Sequence, residues 1–172
     1  MGGRGSGNWW RWQSRKSTVE ESLTLSLRDF RKSLYQTAAG ALAWTSSSGA
    51  RSSIGYVVTW NNDAPSITLS YRWRDAEDVR ILVWLERTPT PFGGSRWWFT
   101  CPLVVRGVAC NRRAGKLYLP PGSRYFGCRT CHDLTYRSAQ EAHQDQRLLN
   151  HLGVALGADR ETRRELLARL RG

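Results

Sequence analysis

No apolar run in this 172-residue chain approaches the length of a membrane-spanning helix, so no membrane role is expected and the sequence reads as that of a soluble protein. No secretory signal opens it either, because residues 1–13, MGGRGSGNWWRWQ, have no apolar central region. A reducing, cytoplasmic setting is therefore expected. Catalytic signatures are missing as well: there is no phosphate-loop pattern, no nucleophile elbow and no H-E-x-x-H. His143 and His151 have no acidic or cysteine partner at a ligand spacing. With no catalytic constellation, an enzyme is not expected. Cysteine is confined to four positions between 101 and 131, and acidic residues are scarce, 14 against 26 Lys and Arg.

Those four cysteines organise the reading. Cys128-Arg129-Thr130-Cys131 is a tight C-x-x-C, and seventeen residues separate Cys110 from Cys128. Two cysteine pairs with a spacer of that size match a four-cysteine structural zinc site, with Cys101, Cys110, Cys128 and Cys131 as ligands. Eight residues rather than two to four lie between Cys101 and Cys110, so that segment must loop out if both thiolates reach one ion. Between the pairs, 116–119 reads as a strand, 120–122 as a turn and 124–126 as a returning strand, the layout of a zinc ribbon. Two disulfides, a redox C-x-x-C and a site with His132 in place of Cys101 are the alternatives. Four thiolates would close the coordination sphere, leaving no open position for water or substrate.

The formal charge is +12, which points to a polyanionic partner. Its distribution says more than its total. Residues 1–33 carry seven basic and three acidic side chains, residues 34–95 five of each, and residues 96–137 eight basic side chains against Asp133 alone. The excess is thus concentrated around the cysteines and in the N-terminal arm. In that arm Trp9, Trp10 and Trp12 interleave with Arg4, Arg11, Arg15 and Lys16. Aromatics among arginines suit nucleic acid, where bases stack and phosphates pair; packing of the tryptophans on the fold is the competing reading. Arg106, Arg112, Arg113, Lys116, Arg124 and Arg129 are the candidate phosphate contacts. Trp97, Trp98 and Tyr125, with the arm's tryptophans, are the candidate stacking residues. For each arginine the plain alternative is a solvated charge.

Along the chain, Thr18-Val19-Glu20-Glu21 has capping-box spacing, and Leu23, Leu25 and Leu27 alternate as in a half-buried strand. Leu27, Phe30 and Leu34 have helical spacing, predicting a short helix over 26–35 capped by Ser26, with Arg28, Arg31 and Lys32 on its basic face. Strands follow at 41–45, 54–60, 67–73 and 79–85. The last three have period-two apolar faces: Ile54, Tyr56, Val58 and Trp60; Ile67, Leu69, Tyr71 and Trp73; Val79, Ile81, Val83 and Leu85. Such runs with short connections predict an antiparallel meander serving as scaffold. Residues 88–94 read as a loop. Beyond Cys131 the chain reads as helical, broken at Gly153 and Gly157, with Asp159 capping a last helix from Arg160. The expected fold is α+β: an antiparallel β-meander with an appended zinc ribbon and C-terminal helices. The expected divisions are an arm at 1–17, a sheet domain with a short helix at 18–95, the ribbon at 96–136 and helices at 137–172.

Several pieces recur together in a known pattern: Gly2-Gly3-Arg4-Gly5-Ser6-Gly7 with Trp9 or Trp10, the 18–21 segment, Phe92-Gly93-Gly94, Trp98-Phe99 with Cys101-Pro102, and Leu117-Tyr118-Leu119-Pro120. Phe126-x-Cys128-Arg129-x-Cys131-His132 follows, with Leu134, Tyr136 and Ser138. Over most of residues 1–140 the chain resembles a family of small uncharacterised proteins common in bacterial and prophage genomes. The resemblance implies a metal-bound ribbon and a phage or bacterial setting, and implies no activity. The expected function is that of a small zinc-ribbon protein binding DNA or RNA. A protein-binding module, such as a phage-encoded inhibitor or adaptor of a host complex, is the alternative, since exposed Trp and Arg also serve as hot-spot residues.

Overall fold

Period-two alternation builds most of this protein, and the strands it produces are longer than the apolar runs that announce them. The computed structural model describes residues 16–45, 49–61 and 64–141. The strands are β1 (Leu23–Ser26), β2 (Ala38–Thr45), β3 (Arg51–Asn61), β4 (Ala64–Trp73), β5 (Glu77–Pro89), β6 (Ser95–Thr100), β7 (Val104–Val105), β8 (Val108–Ala109), β9 (Arg113–Ala114) and β10 (Lys116–Leu119). Six of them form one curled antiparallel sheet in the order β2-β3-β4-β5-β6-β9. β1 pairs with β10, and β7 with β8.

The inward faces are those the alternation marks. Val58, Ile67 and Val83 stand opposite one another across three strands and are all buried. Tyr56, Leu69 and Ile81 form the next row. On β5, Val79, Ile81, Val83 and Leu85 point inward while Arg80, Leu82 and Trp84 face out.

One aromatic pins the curled sheet. Phe30 is fully buried, edge-on to Tyr56 of β3 at 4.9 Å and to Phe99 of β6 at 6.0 Å between ring centroids. It sits at the end of a 3-10 turn, Leu27–Phe30, which a capping box opens: the Ser26 amide donates to the Asp29 carboxylate at 2.8 Å, and the Arg28 amide donates to the Ser26 hydroxyl. A second capping box closes 18–21, where the amides of Thr18 and Glu21 donate to each other's side chains. Leu25 and Leu117, directly paired between β1 and β10, are both fully buried.

The structure corrects the α+β expectation. Just over half of the described residues are in strands, and the protein is mainly antiparallel β. The helix expected over 26–35 is one 3-10 turn followed by turns. Spacing Phe30 and Leu34 toward the core needs a turn as much as a helix, and both side chains are buried. The chain divides into two compact units, Met1–Leu134 and Thr135–Gly172. Of the helices expected over 137–172, only 137–141 are described, and these five residues are helical. His143, His151 and the helix expected from Arg160 lie outside the described residues. Among the described residues no helix is long and apolar enough to cross a membrane.

Nor is the cysteine segment an appendage. β6 and β9 belong to the main sheet, and β10 pairs along its length with β1. The returning strand expected at 124–126 is reduced to one bridge, Tyr118 to Gly127. Side chains take its place in the hydrogen-bond network. The Tyr71 hydroxyl donates to the Arg124 carbonyl at 2.6 Å, and the Trp73 indole donates to the Ser123 carbonyl at 3.0 Å. Burial pushes the Tyr71 phenol up, so its hydroxyl keeps the proton it donates.

Because Phe30 is fully buried and contacts rings on both β3 and β6, Phe30→Ala is expected to lower the unfolding free energy by about 3–5 kcal/mol. Urea denaturation measures this. Tyr35→Ala, at an exposed position in the same segment, should stay within about 0.5 kcal/mol of the parent.

Candidate metal centre

Each cysteine is placed by backbone pairing. β6 runs straight into Cys101, whose amide donates to the Arg112 carbonyl at 2.9 Å, one rung beyond the Thr100–Arg113 pair of β6 and β9. The eight residues between Cys101 and Cys110 fold back as a miniature hairpin, β7 to β8. Its two central residues, Arg106 and Gly107, both have positive φ (53° and 78°), as a two-residue hairpin turn of type I′ requires. The Cys110 amide donates to the Leu103 carbonyl at 2.8 Å and closes the hairpin base. The looping-out that the spacing demanded is therefore present. On the other side, the Tyr118–Gly127 bridge presents Cys128, and successive turns through 128–134 bring Cys131 back.

The four sulfurs lie within 4.8 Å of one another and could hold a metal ion. Cys101 and Cys131 are 3.9 Å apart, as are Cys110 and Cys128. Thiolates bound at about 2.3 Å to a tetrahedral ion lie about 3.8 Å from each other, so the cluster has the size of such a site. A disulfide needs about 2.05 Å, which these separations exclude. Cys101 and Cys128 are buried while Cys110 and Cys131 are half-buried. The Cys128 amide donates to the Cys101 sulfur at 3.2 Å, a contact that favours thiolate.

Electrostatics point the same way. Burial pushes the Cys101 thiol up to about 11 and raises Cys131 further. At Cys110 burial is outweighed by the Arg112 amide and the neighbouring sulfurs, which hold its thiol below the usual value. Such a set becomes four thiolates only around a cation that offsets both burial and mutual repulsion. His132 is not part of the cluster. Its ring packs beside Gly127, and burial lowers its pKa, keeping it neutral.

The other residues singled out in the sequence fall into distinct settings. Arg106 occupies the tip of the β7–β8 turn, and neither it, Arg112 nor Lys116 forms an ion pair with a described residue. Arg113 is committed to Glu86, which also accepts from the Thr100 hydroxyl; the Arg113 hydrogen bond holds the Glu86 carboxyl below its usual range. Arg124 pairs with Glu77 and lies over the Tyr125 ring, 5.0 Å from its centroid. Arg129 is exposed within the C-x-x-C turn. Trp97 is 8% exposed, with its ring edge-on to Trp60 and the Arg87 guanidinium 5.9 Å from its centroid, so it is not open for stacking on a base. Trp98, its neighbour on the opposite face of β6, is half-buried, with its indole donating to the Thr88 hydroxyl and Arg96 lying 4.3 Å over its ring. Tyr125 is exposed. Trp9, Trp10, Trp12, Arg11 and Arg15 lie outside the described residues.

No family model, curated protein or solved structure matches this chain.

Sequence reasoning missed Gly127 as a site residue, although its place just before Cys128 was a signal. A Cβ there would lie 2.1 Å from Leu103 Cδ1 and 3.0 Å from His132 Nε2. Gly127 thus lets Leu103, at the base of the β7–β8 hairpin, approach the C-x-x-C turn. Gly127→Ala should destabilise the protein by about 1–3 kcal/mol through overpacking. Leu103→Ala in the same chain should recover part of that loss, so a double-mutant cycle in urea should show coupling well above additivity error.

Proposed function

We propose that this protein is a zinc-stabilised nucleic-acid-binding module that contacts phosphates through the basic segment carrying its cysteines. One observation carries the reading: four sulfurs gather into a tetrahedron-sized cluster within the stretch of chain that has eight basic residues and one acidic residue. That lone acid, Asp133, is itself paired with Lys16 at 2.7 Å. Zinc suits the site because four thiolates select a soft, tetrahedral ion, and a closed sphere makes the role structural. Arg106 and Arg112 are the foremost phosphate contacts, being exposed and without an acidic partner among the described residues. Trp98 and Tyr125 present aromatic surface in the same segment, already associated with Arg96 and Arg124.

A second reading is favoured by the β7–β8 hairpin. Val104, Val105 and Val108 are 63%, 43% and 70% exposed, an apolar tip of the type that docks on another protein. An inhibitor or adaptor would bind through that tip, with little dependence on salt.

Two measurements test the proposal. Protein purified under reducing conditions should hold one zinc per chain by elemental analysis. Cys128→Ser should release the ion and lower the melting temperature, since binding energy at a structural zinc is folding energy. Metal-free protein with unchanged stability would remove the zinc reading. In a nucleic-acid titration, Arg106→Ala with Arg112→Ala should reduce the slope of log K against log salt by about 1.4–1.8 units, one phosphate contact each. An unchanged slope would exclude these two arginines as contacts, and salt-independent capture of a protein would favour the hairpin reading.

A further inference from the structure

Between β2, β6 and the 3-10 turn lies an open-sided groove of about 950 Å³ that none of the four cysteines lines. Its floor and walls include Leu34, Leu42 and Trp97, so it has an apolar base. Four cations stand around it: Arg28 and Arg31 from the turn region, Arg96 from β6 and Lys116 from β10. None of them makes an ion pair with a described residue, though the Arg96 guanidinium also lies over the Trp98 ring. Among the described residues of the lining Asp29 is the single acid, and its carboxylate accepts the Ser26 amide. The described lining therefore carries four cations against one carboxylate, a positive excess.

Aromatic surface completes it. Tyr35 lines the groove yet is 67% exposed, with one ring edge steadied on Trp97 at 6.3 Å. Trp97 is in turn held edge-on by Trp60 at 5.9 Å, which gives Tyr35 a rigid neighbour. Trp44 lines the groove from β2. Cations and aromatics around one trough match a ligand that is planar and anionic in alternation. Single-stranded nucleic acid has that chemistry, because its bases are free to stack, whereas those of a duplex are already stacked on each other.

We propose that this groove is a single-stranded nucleic-acid site, in which Tyr35 and Trp44 stack on bases while Arg28, Arg31, Arg96 and Lys116 neutralise phosphates. The proposal rests on the nucleic-acid reading above and narrows it to unpaired strands. A free nucleotide shares the chemistry but engages fewer of the cations, so the polymer is the occupant assigned here.

The test is fluorescence anisotropy on the full-length, zinc-loaded protein. The probes are labelled oligothymidylate and oligouridylate of about twelve nucleotides, within the length that such grooves cover. A duplex of the same length and thymidine monophosphate serve as competitors. At least one single strand should bind about tenfold tighter than the duplex, and the monophosphate should compete only weakly. Tyr35→Ala should weaken single-strand binding by at least about fivefold, with Tyr35→Phe retaining it, as loss and rescue of stacking require. Arg28→Ala with Arg31→Ala should flatten the salt slope by about 1.4 units. All three positions are exposed, so circular dichroism and zinc content should not change. Nucleic-acid binding that ignores the groove variants but falls on Arg106→Ala with Arg112→Ala would overturn the groove and leave the function standing. Equal binding of duplex would also overturn it, as would full competition by the monophosphate. No binding of any nucleic acid at low salt would overturn the function and the groove together.

Discussion

The hydrogen bond from the Cys101 amide to the Arg112 carbonyl is the joint between scaffold and site. It adds one rung to the β6–β9 ladder, so the last rung of the main sheet is also the first support of the sulfur cluster. Phe99, fully buried two residues earlier, fixes β6 in the core, and five register pairs tie β6 to β5. Cys101 therefore inherits its position from the most buried part of the molecule. Cys110, Cys128 and Cys131 reach it through short local structures, the β7–β8 hairpin and the turns after Gly127. A fixed first ligand with three locally adjusted ones is how an eight-residue spacing can still give a compact cluster.

The same neighbourhood sorts its arginines into two kinds. Arg113 and Arg124 reach back to Glu86 and Glu77 and help seat the cysteine segment against β5. The second of these acts together with Tyr71 and Trp73, whose side chains hold the carbonyls of Arg124 and Ser123. Tyr71 also packs edge-on against the buried Phe126 at 5.7 Å. Arg106 and Arg112 have no such role among the described residues. The sequence showed a basic cluster but not this division, because acids that neutralise a basic segment can come from strands far away in the chain.

What was legible in the sequence was whatever a local rule determines. Alternation marked the inward faces of β3, β4 and β5, because a one-residue slip would turn every apolar side chain to water. The cysteine spacing marked the cluster, and the Thr18–Glu21 spacing marked the capping box found there. Partners distant in sequence were not legible: Leu23, Leu25 and Leu27 announced a strand, but nothing local said that Leu117 would sit opposite Leu25. Trp97 and Trp98 make the same point. Adjacent residues of a strand face opposite sides, and only the register of β6 with β5 sends Trp97 inward. The fold is mainly β rather than α+β because Phe30 and Leu34, though helically spaced, reach the core from a 3-10 turn and the turns after it, and strands dominate the described residues.

Chain connectivity links the two charged regions. Cys110 is a metal ligand candidate, Arg112 supplies the carbonyl that anchors Cys101, and Arg113 and Ala114 form β9. Gly115 and Lys116 come directly after and line the groove. β10 then pairs with β1, and Ser26, opposite Lys116, is the cap of the 3-10 turn that brings Arg28 and Arg31 to the same groove. Five residues thus separate a thiol from a groove cation, and a continuous set of backbone hydrogen bonds carries the connection to the opposite wall. Fixing Cys110 in a tetrahedral site removes freedom from this whole path, because each residue along it is either paired in a ladder or adjacent to one that is. The cluster and the groove are in this sense products of one constraint, the placement of residues 110–119 between β6 and β1.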